Sequence, residues 1–262
     1  MKDILGLAEE AARRAGRLAV SLLGKTVIEQ KDSTYNLITE ADLRSEDLIV
    51  DFLMREMPES EVLGEENHHE GKLAAERLWI IDPLDGTTNF AHAIPHFGVS
   101  IAYAEKGRLT AGTVYDPMRN ELFSARAGHG AQCNGNHIHV SKSQLLSQSL
   151  IATGFYYDRS ATMEKTLRAL YWLYQEDIRC IRRMGAASLD LAWLACGRFD
   201  AYFEYTLSPW DFAAGLLLVL EAGGSASTID GTPADLSAKG LICSNGRIHK
   251  KLLACVLKPK KF

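Results

Sequence analysis

Residues 79–90 of this 262-residue chain read WIIDPLDGTTNF. Large apolar residues open the stretch, as in a buried β-strand, and they lead directly into Asp82. Pro83 predicts a tight turn after this strand, and Asp85-Gly86 is a common turn dipeptide. We therefore expect a buried strand that places two aspartates, three positions apart, where it ends.

Two helices are predicted on the N-terminal side of this stretch. A first amphipathic helix is indicated by apolar residues spaced three and four positions apart, namely Ile4, Ala8, Ala11, Ala15, Leu18 and Leu22. Residues 39–42, Thr-Glu-Ala-Asp, resemble a capping box at the start of a second helix, with Pro58 just past its end. Asp42 is then expected in the first turn of that helix.

The rest of the chain predicts two sheets. Between residues 78 and 140, short runs typical of β-strands alternate with turn residues, which predicts an antiparallel meander with the two helices on one face. From residue 149 onward, strand-like and helix-like segments alternate, which predicts a second, mixed sheet. The expected fold is an α/β (α+β) layered sandwich, with an N-terminal half at residues 1–145 and a C-terminal half at residues 146–262.

Composition excludes several classes of protein. With 47% hydrophobic and 24% charged residues, the chain is unlike disordered or collagen-like sequences. The longest apolar run, residues 212–220, is shorter than the ~20 residues that a membrane span needs. Acidic residues near the N-terminus are untypical of a secretory signal, so we expect a cytoplasmic protein.

Cysteine usage and charge agree with this interpretation. The five cysteines are an odd number and widely spaced, which favours reduced packing residues over disulfides or zinc ligands. The net charge is −4 and there is no long basic block, so nothing in the sequence indicates binding to nucleic acid.

Acidic residues recur where strands end and helices begin. Besides Asp82 and Asp85, these positions include Glu65 after a short β-run, Asp211 at the start of an apolar helix, and Asp42. Clustered carboxylates raise one another's pKa unless a cation lies among them, and Mg²⁺ prefers oxygen ligands. The pattern therefore predicts a metal site.

An anion site is expected next to this metal site. Gly86 and Thr87 lie where the strand gives way to a new segment, and exposed backbone N–H groups there could hold an anion. A metal beside an anion cradle indicates phosphate chemistry.

Simpler interpretations exist for each motif taken alone. The Asp-Pro and Asp-Gly dipeptides could be ordinary turns, Asp42 and Asp211 could only cap helices, and Glu65 could lie in a solvated loop. The combination favours a phosphate-handling metal site. Phosphatases that form an aspartyl-phosphate are a rival class, but they need two aspartates at positions i and i+2, whereas Asp82 and Asp85 are at i and i+3.

The whole sequence resembles the inositol monophosphatase family. The resemblance lies in residues 79–90, in residues 210–224 and in Gly64-Glu65-Glu66 upstream. It implies a layered fold of an antiparallel sheet, a mixed sheet and helix pairs, and two or three Mg²⁺ ions. The implied metal ligands are Glu65, Asp82, the carbonyl of Leu84, Asp85 and Asp211.

The resemblance also implies roles in catalysis and substrate binding. The backbone amides of Gly86 and Thr87 would bind phosphate, and Thr87 with Glu65 and Asp42 would position and deprotonate the attacking water. Lys31 would contact the site from a loop. The expected groups for the alcohol part of the substrate are Asp85, Gly185, Ala187 and Glu204, although Glu204 could instead be an outward-facing residue of its strand.

The expected function is Mg²⁺-dependent hydrolysis of myo-inositol monophosphates by in-line attack of water, in a lithium-sensitive homodimer. Alternative substrates for the same chemistry are fructose 1,6-bisphosphate, histidinol phosphate, a 3'-phosphoadenosine nucleotide and NADP. A different class is a protein-binding module with residual or no activity. A binding module would not need all of the intact groups Glu65, Asp82, Asp85, Thr87 and Asp211.

Overall fold

The computed structural model of the chain describes residues 3–25, 28–33, 36–155 and 161–257, and the side chains of these ranges apart from those of residues 28–33 and 36. Lys31, which was expected to contact the site, therefore lies outside the described side chains. Residues 258–262 at the C-terminus and the segment 156–160 are also outside the described part.

A seven-stranded sheet carries most of the N-terminal half. Its strands follow the chain order and are β3 (Glu61–Gly64), β4 (Leu78–Asp85), β5 (Gly98–Glu105), β6 (Arg108–Asp116), β7 (Glu121–Arg126), β8 (Ala131–Cys133) and β9 (Asn136–Ile138). β3 pairs with β4 in parallel, and each later pair is antiparallel. The predicted meander is confirmed, and β8 is a strand that the pattern did not indicate. Before this sheet, β1 (Ile28–Ser33) and β2 (Asn36–Thr39) form a separate antiparallel pair.

β4 does not end where the sequence suggested. The expected tight turn at Pro83 is wrong, because the strand continues to Asp85 with an irregular register between Asp82 and Asp85. Proline has no backbone N–H to donate, and such an irregularity in the pairing is a place where a sheet tolerates it. The irregularity brings both aspartates to one end of the sheet.

Two helices cover one face of this sheet, as expected. α1 (Ile4–Leu22) and α2 (Glu40–Glu56) pack against each other and against β4, β5 and β6. α1 presents fully buried alanines to a core that includes Trp79 and Tyr103. Small side chains let the helix approach the sheet closely, so that large strand residues fill the space between them.

The opposite face is covered by α5 (Ala187–Ala195) and α6 (Pro209–Glu221), and the short helix α3 (Thr87–Ala91) follows β4 directly. Gly215 of α6 lies against Leu191 of α5, where a Cβ on residue 215 would be 2.6 Å from the Leu191 Cβ. The close contact between α5 and α6 leaves their N-termini next to the end of β4, which is how these helices contribute to the site.

The predicted second, mixed sheet is also confirmed. Its strand order is β11 (Cys180–Arg182), β10 (Leu150–Thr153), β12 (Ala201–Glu204), β14 (Leu241–Ser244) and β13 (Ser225–Thr228). β11, β10 and β12 run parallel, whereas β14 is antiparallel to both β12 and β13. The outer helices α4 (Ala161–Gln175) and α7 (His249–Val256) share a core with this sheet.

The layers are thus helix pair, sheet, helix pair, sheet and helix pair. One core cluster includes side chains from both halves, among them Phe123 and Tyr202. The division into residues 1–145 and 146–262 stays a prediction. The five cysteines are free thiols, and within the described ranges no helix is long and apolar enough to cross a membrane.

Candidate functional site

A cavity of about 300 Å³ opens where the end of β4, the loop after β3, the end of β12 and the N-termini of α5 and α6 meet. It brings together every site residue expected from the sequence except Asp42 and Lys31. The expected residues that line it are Glu65, Asp82, Leu84, Asp85, Gly86, Thr87, Gly185, Ala187, Glu204 and Asp211. Asp42 reaches the site through a contact with Thr87.

Local structure holds each aspartate in place. The Asp82 Oδ1 accepts a hydrogen bond from the Leu84 N–H at 3.1 Å, and the Asp211 Oδ2 accepts one from the Ser208 N–H at 2.6 Å, which caps α6. The Asp85 Oδ2 accepts hydrogen bonds from the Ser188 N–H at 2.7 Å and the Ser188 hydroxyl at 2.6 Å. Asp82 and Asp211 each retain one carboxylate oxygen that accepts no hydrogen bond from the described residues.

These carboxylates share a strongly unfavourable electrostatic environment. Burial, followed by the charges of Glu65 and other carboxylates, raises the pKa of Asp82 and of Asp211 well above the ordinary value. Burial raises the pKa of Asp85 to about 6, although its hydrogen bonds from Ser188 oppose the shift. Without a cation, the site therefore favours protonated carboxyl groups at the pH where free aspartates are ionised.

The donor set suits a hard divalent cation such as Mg²⁺. Within the described ranges, no three His, Cys, Asp or Glu side chains already form a metal cage. Two observations nevertheless fit an ion here: carboxylate oxygens of Asp82 and Asp211 are left over, and the neighbouring groups that raise the pKa of Asp82 are themselves carboxylates. A cation bound among them would replace mutual repulsion by attraction.

Thr87 and Asp42 form a hydrogen-bonded pair beside these carboxylates. The Thr87 hydroxyl donates to the Asp42 Oδ1 at 2.9 Å, and its oxygen also lies 3.2 Å from the Leu84 carbonyl oxygen. The other Asp42 oxygen accepts from the Thr39 N–H at 2.8 Å, which caps α2 and confirms that Asp42 is in its first turn. Burial raises the pKa of Asp42 to about 6.

The backbone at Gly86 packs closely against neighbouring segments. Gly86 has a φ of +96°, in the left-handed region that favours glycine, and a Cβ there would lie 3.1 Å from the His96 carbonyl oxygen. The Asn89 amide donates to the carbonyl oxygens of His96 at 2.8 Å and Met184 at 2.9 Å. These bonds tie α3 to the segment before Gly185, so that both sides of the cavity are held together.

Glu204 faces the cavity from the second sheet. Its interpretation as an outward-facing strand residue is wrong, because the side chain is only 8% exposed and lines the cavity. The Tyr202 hydroxyl donates to the Glu204 Oε2 at 2.5 Å. Burial raises the pKa of Glu204 to about 7, while Tyr202 and Arg183 act to lower it.

Glu46 is a residue of the site region that the sequence motifs did not single out. It is fully buried on α2, one helical turn after Asp42, and its carboxylate accepts from the Glu66 N–H at 3.0 Å and the Asn67 N–H at 2.6 Å. The His68 Nδ1 lies 3.1 Å from the same carboxylate. Glu46 therefore positions the loop that carries Glu65. A charged residue on the apolar face of α2 was the available signal.

The raised pKa values predict how stability depends on pH in the absence of metal. The folded protein retains protons on Glu204 and the buried aspartates at a pH where the unfolded chain has released them, so stability is lost as pH rises through the folded pKa values. His96 acts oppositely, since its pKa is lowered from 6.5 to about 4, but its contribution varies only below about pH 6.5. With a chelator present, we expect the melting temperature to fall by at least about 3 °C between pH 6.5 and 8. A flat or rising melting temperature in calorimetry would contradict this expectation.

Known proteins are similar to this chain in sequence and in fold. A sequence model of the inositol monophosphatase family matches residues 1–260. The inositol-1-monophosphatase of Synechocystis sp. is 42% identical over 249 residues, which are 95% of this chain and 86% of that protein. The Nus factor SuhB of Escherichia coli is 40% identical over 256 residues, which are 97% of this chain and 96% of that protein.

A solved structure gives the same result. The IMPase of Thermotoga maritima superposes with a TM-score of 0.90 at 35% sequence identity, and the match covers 97% of each chain. The layered fold expected from the sequence is that of this relative. The chain therefore belongs to the inositol monophosphatase family.

Proposed function

We propose that this protein is a Mg²⁺-dependent phosphomonoesterase that hydrolyses myo-inositol monophosphates to inositol and phosphate. The supporting observation is that one cavity is lined by the carboxylates of Asp82, Asp85 and Asp211, by the Thr87 hydroxyl that bonds to Asp42, and by Glu204. These groups supply cation binding, proton transfer and alcohol recognition within reach of one small substrate.

The ligands for two or three Mg²⁺ ions would be Glu65, Asp82, the Leu84 carbonyl, Asp85 and Asp211. When bound, Mg²⁺ would neutralise the phosphate dianion, lower the pKa of water and stabilise the departing alkoxide. The backbone N–H groups of Gly86 and Thr87 would hold phosphate oxygens at the start of α3.

Thr87 and Asp42 would handle the proton of the attacking water. Because the Thr87 hydroxyl donates its own hydrogen to Asp42, its oxygen has lone pairs with which to accept a hydrogen from water. The proton would pass through Thr87 Oγ1 to Asp42, whose raised pKa of about 6 suits a general base near neutral pH. Glu65, held by the loop that Glu46 positions, would orient the same water.

The alcohol side of the cavity favours a neutral, hydroxyl-rich leaving group. Glu204 is buried there with Tyr202, and a second phosphate placed against it would be repelled. This repulsion disfavours fructose 1,6-bisphosphate, NADP and a 3'-phosphoadenosine nucleotide as preferred substrates. Gly185 and Ala187 border the same region.

The alternative is a protein-binding module with residual or no activity, and relatives such as the Nus factor SuhB of Escherichia coli bear no enzyme name. Five intact cavity groups of this chain, Glu65, Asp82, Asp85, Thr87 and Asp211, favour an enzyme over a binding module without activity. Lithium sensitivity, a homodimer and a cytoplasmic location remain predictions.

Replacing a proposed ligand tests the metal mechanism. We expect Asp82→Asn and Asp211→Asn each to reduce kcat on myo-inositol 1-phosphate at least about a hundredfold, because transition-state charge loses a ligand. Excess chelator should abolish wild-type activity and added Mg²⁺ should restore it. Asp51→Asn, at an exposed position of α2, is the control and should be unchanged. Normal turnover in either site variant, or in excess chelator, would refute the proposal.

Glu46 offers a test of how the Glu65 loop is positioned. Glu46→Gln keeps the size of the side chain but weakens the bonds to the Glu66 and Asn67 N–H groups. We expect the Mg²⁺ concentration for half-maximal activity to rise about tenfold, with a smaller change in kcat at saturating Mg²⁺. Asp47→Asn, at the next and exposed position, should behave as wild type. An unchanged Mg²⁺ dependence in Glu46→Gln would show that Glu46 only stabilises the fold.

A further inference from the structure

Asp190 is a buried carboxyl group to which the proposed reaction assigns no task. It lies on α5, is 1% exposed and lines the same cavity as the metal-site carboxylates. Its Oδ1 has no hydrogen-bond partner in the described part of the chain. A buried acceptor without a partner is destabilising. The Asp190 Oδ1 therefore makes no hydrogen bond that would stabilise the described fold.

Two hydroxyl donors near Asp190 already serve other groups. The Ser188 hydroxyl donates to the Asp85 Oδ2, and the Tyr202 hydroxyl donates to the Glu204 Oε2. The Asp190 backbone N–H makes an ordinary helical bond to the Ala186 carbonyl. What remains open to the Asp190 carboxyl is the cavity, which Arg183 also lines.

Asp190 lies on α5, the helix that begins at Ala187, and lines the cavity together with Ala187 and Glu204 on its alcohol side. Burial is the largest cause that raises its pKa well above the ordinary value, and the charges of Asp85 and Glu204 act in the same direction. Arg183, which also lines the cavity, acts in the opposite direction. A carboxyl group can accept a hydrogen bond from a substrate hydroxyl, and when protonated it can also donate one.

We propose that Asp190 is a specificity-determining residue that binds a hydroxyl group of the substrate's alcohol, next to the hydroxyl bound by Glu204. This inference rests on the proposed phosphatase function and extends it. The preferred substrate is then a monophosphate ester of a polyol with at least two further hydroxyl groups, one for each acid. A substrate without hydroxyl groups would leave Asp190 as it is in the free protein.

The test compares two substrates in Asp190→Ala and Asp190→Asn. On myo-inositol 1-phosphate, Asp190→Ala should lose at least about tenfold in kcat/KM, mainly through KM, because a buried polar partner is removed. On phenyl phosphate, which has no hydroxyl group, the change should stay below about twofold. Asp190→Asn should lose less than Asp190→Ala, since an amide also donates and accepts. Asp51→Ala is the exposed control.

Melting temperature separates this role from a structural one. An unpartnered carboxyl group adds no stability, so the melting temperature of Asp190→Ala should not fall by more than about 2 °C. A larger fall with equal losses on both substrates would make Asp190 a structural residue and overturn the proposal. Unchanged kinetics on both substrates would also overturn the proposal. Asp190 would then form its hydrogen bond with ordered water and not with a substrate hydroxyl.

A binding measurement keeps this inference separable from the proposed function. With Mg²⁺ and inorganic phosphate present, saturating myo-inositol should raise the melting temperature of the wild type, and should do so at most half as much in Asp190→Ala. If the wild type hydrolyses no phosphomonoester, the proposed function fails, while this comparison still decides for or against Asp190. An equal rise in both proteins would refute hydroxyl binding by Asp190.

Discussion

Repulsion among Asp82, Asp85 and Asp211 is the physical constraint on which the site depends. Asp82 is buried and Asp85 and Asp211 are half-buried at the end of β4, where burial and then the charges of neighbouring carboxylates raise their pKa values. Such a cluster persists because the surrounding fold is stable enough to hold it. It is useful because a divalent cation converts the repulsion into binding energy.

The layered architecture supplies the groups that hold the cluster. The middle helix pair brings Ser188 of α5 to Asp85 and the capped N-terminus of α6 to Asp211. The N-terminal pair of α1 and α2 contributes α2, whose first two turns carry Asp42 and Glu46 on one face. α2, α5 and α6 therefore each have two functions: an apolar face covers a sheet, and the first turns position a polar group in or beside the cavity.

The sequence predicted those features whose residues lie close together along the chain. Asp82, Asp85, Gly86 and Thr87 lie in one continuous stretch, so that their proximity was readable directly, and a capping pattern placed Asp42 in the first turn of its helix. Pro83 was misinterpreted because the pairing irregularity that accommodates it depends on the partner strand. β8 and β13 are short and carry too few apolar residues for a periodic signal.

Residues that act through distant partners were not predictable in this way. Glu46 bonds to a loop about 20 residues further along, Ser188 bonds to Asp85 across 103 residues, and the isolation of Asp190 becomes visible only when all neighbours are in place. Their residue types are ordinary for helices, and only tertiary contacts give them a role. The family resemblance covered the proposed metal ligands but not the groups that support them.

The central claim is that the carboxylate cluster is destabilising without a divalent cation and stabilising with one. The most direct measurement is the melting temperature of the wild type and of Asp82→Asn at pH 8, each in chelator and in saturating Mg²⁺. In chelator, the account predicts that Asp82→Asn melts at least about 2 °C above the wild type. In saturating Mg²⁺ it predicts that the wild type has the higher melting temperature. A variant that melts below the wild type in chelator, with Mg²⁺ shifting both proteins equally, would contradict it.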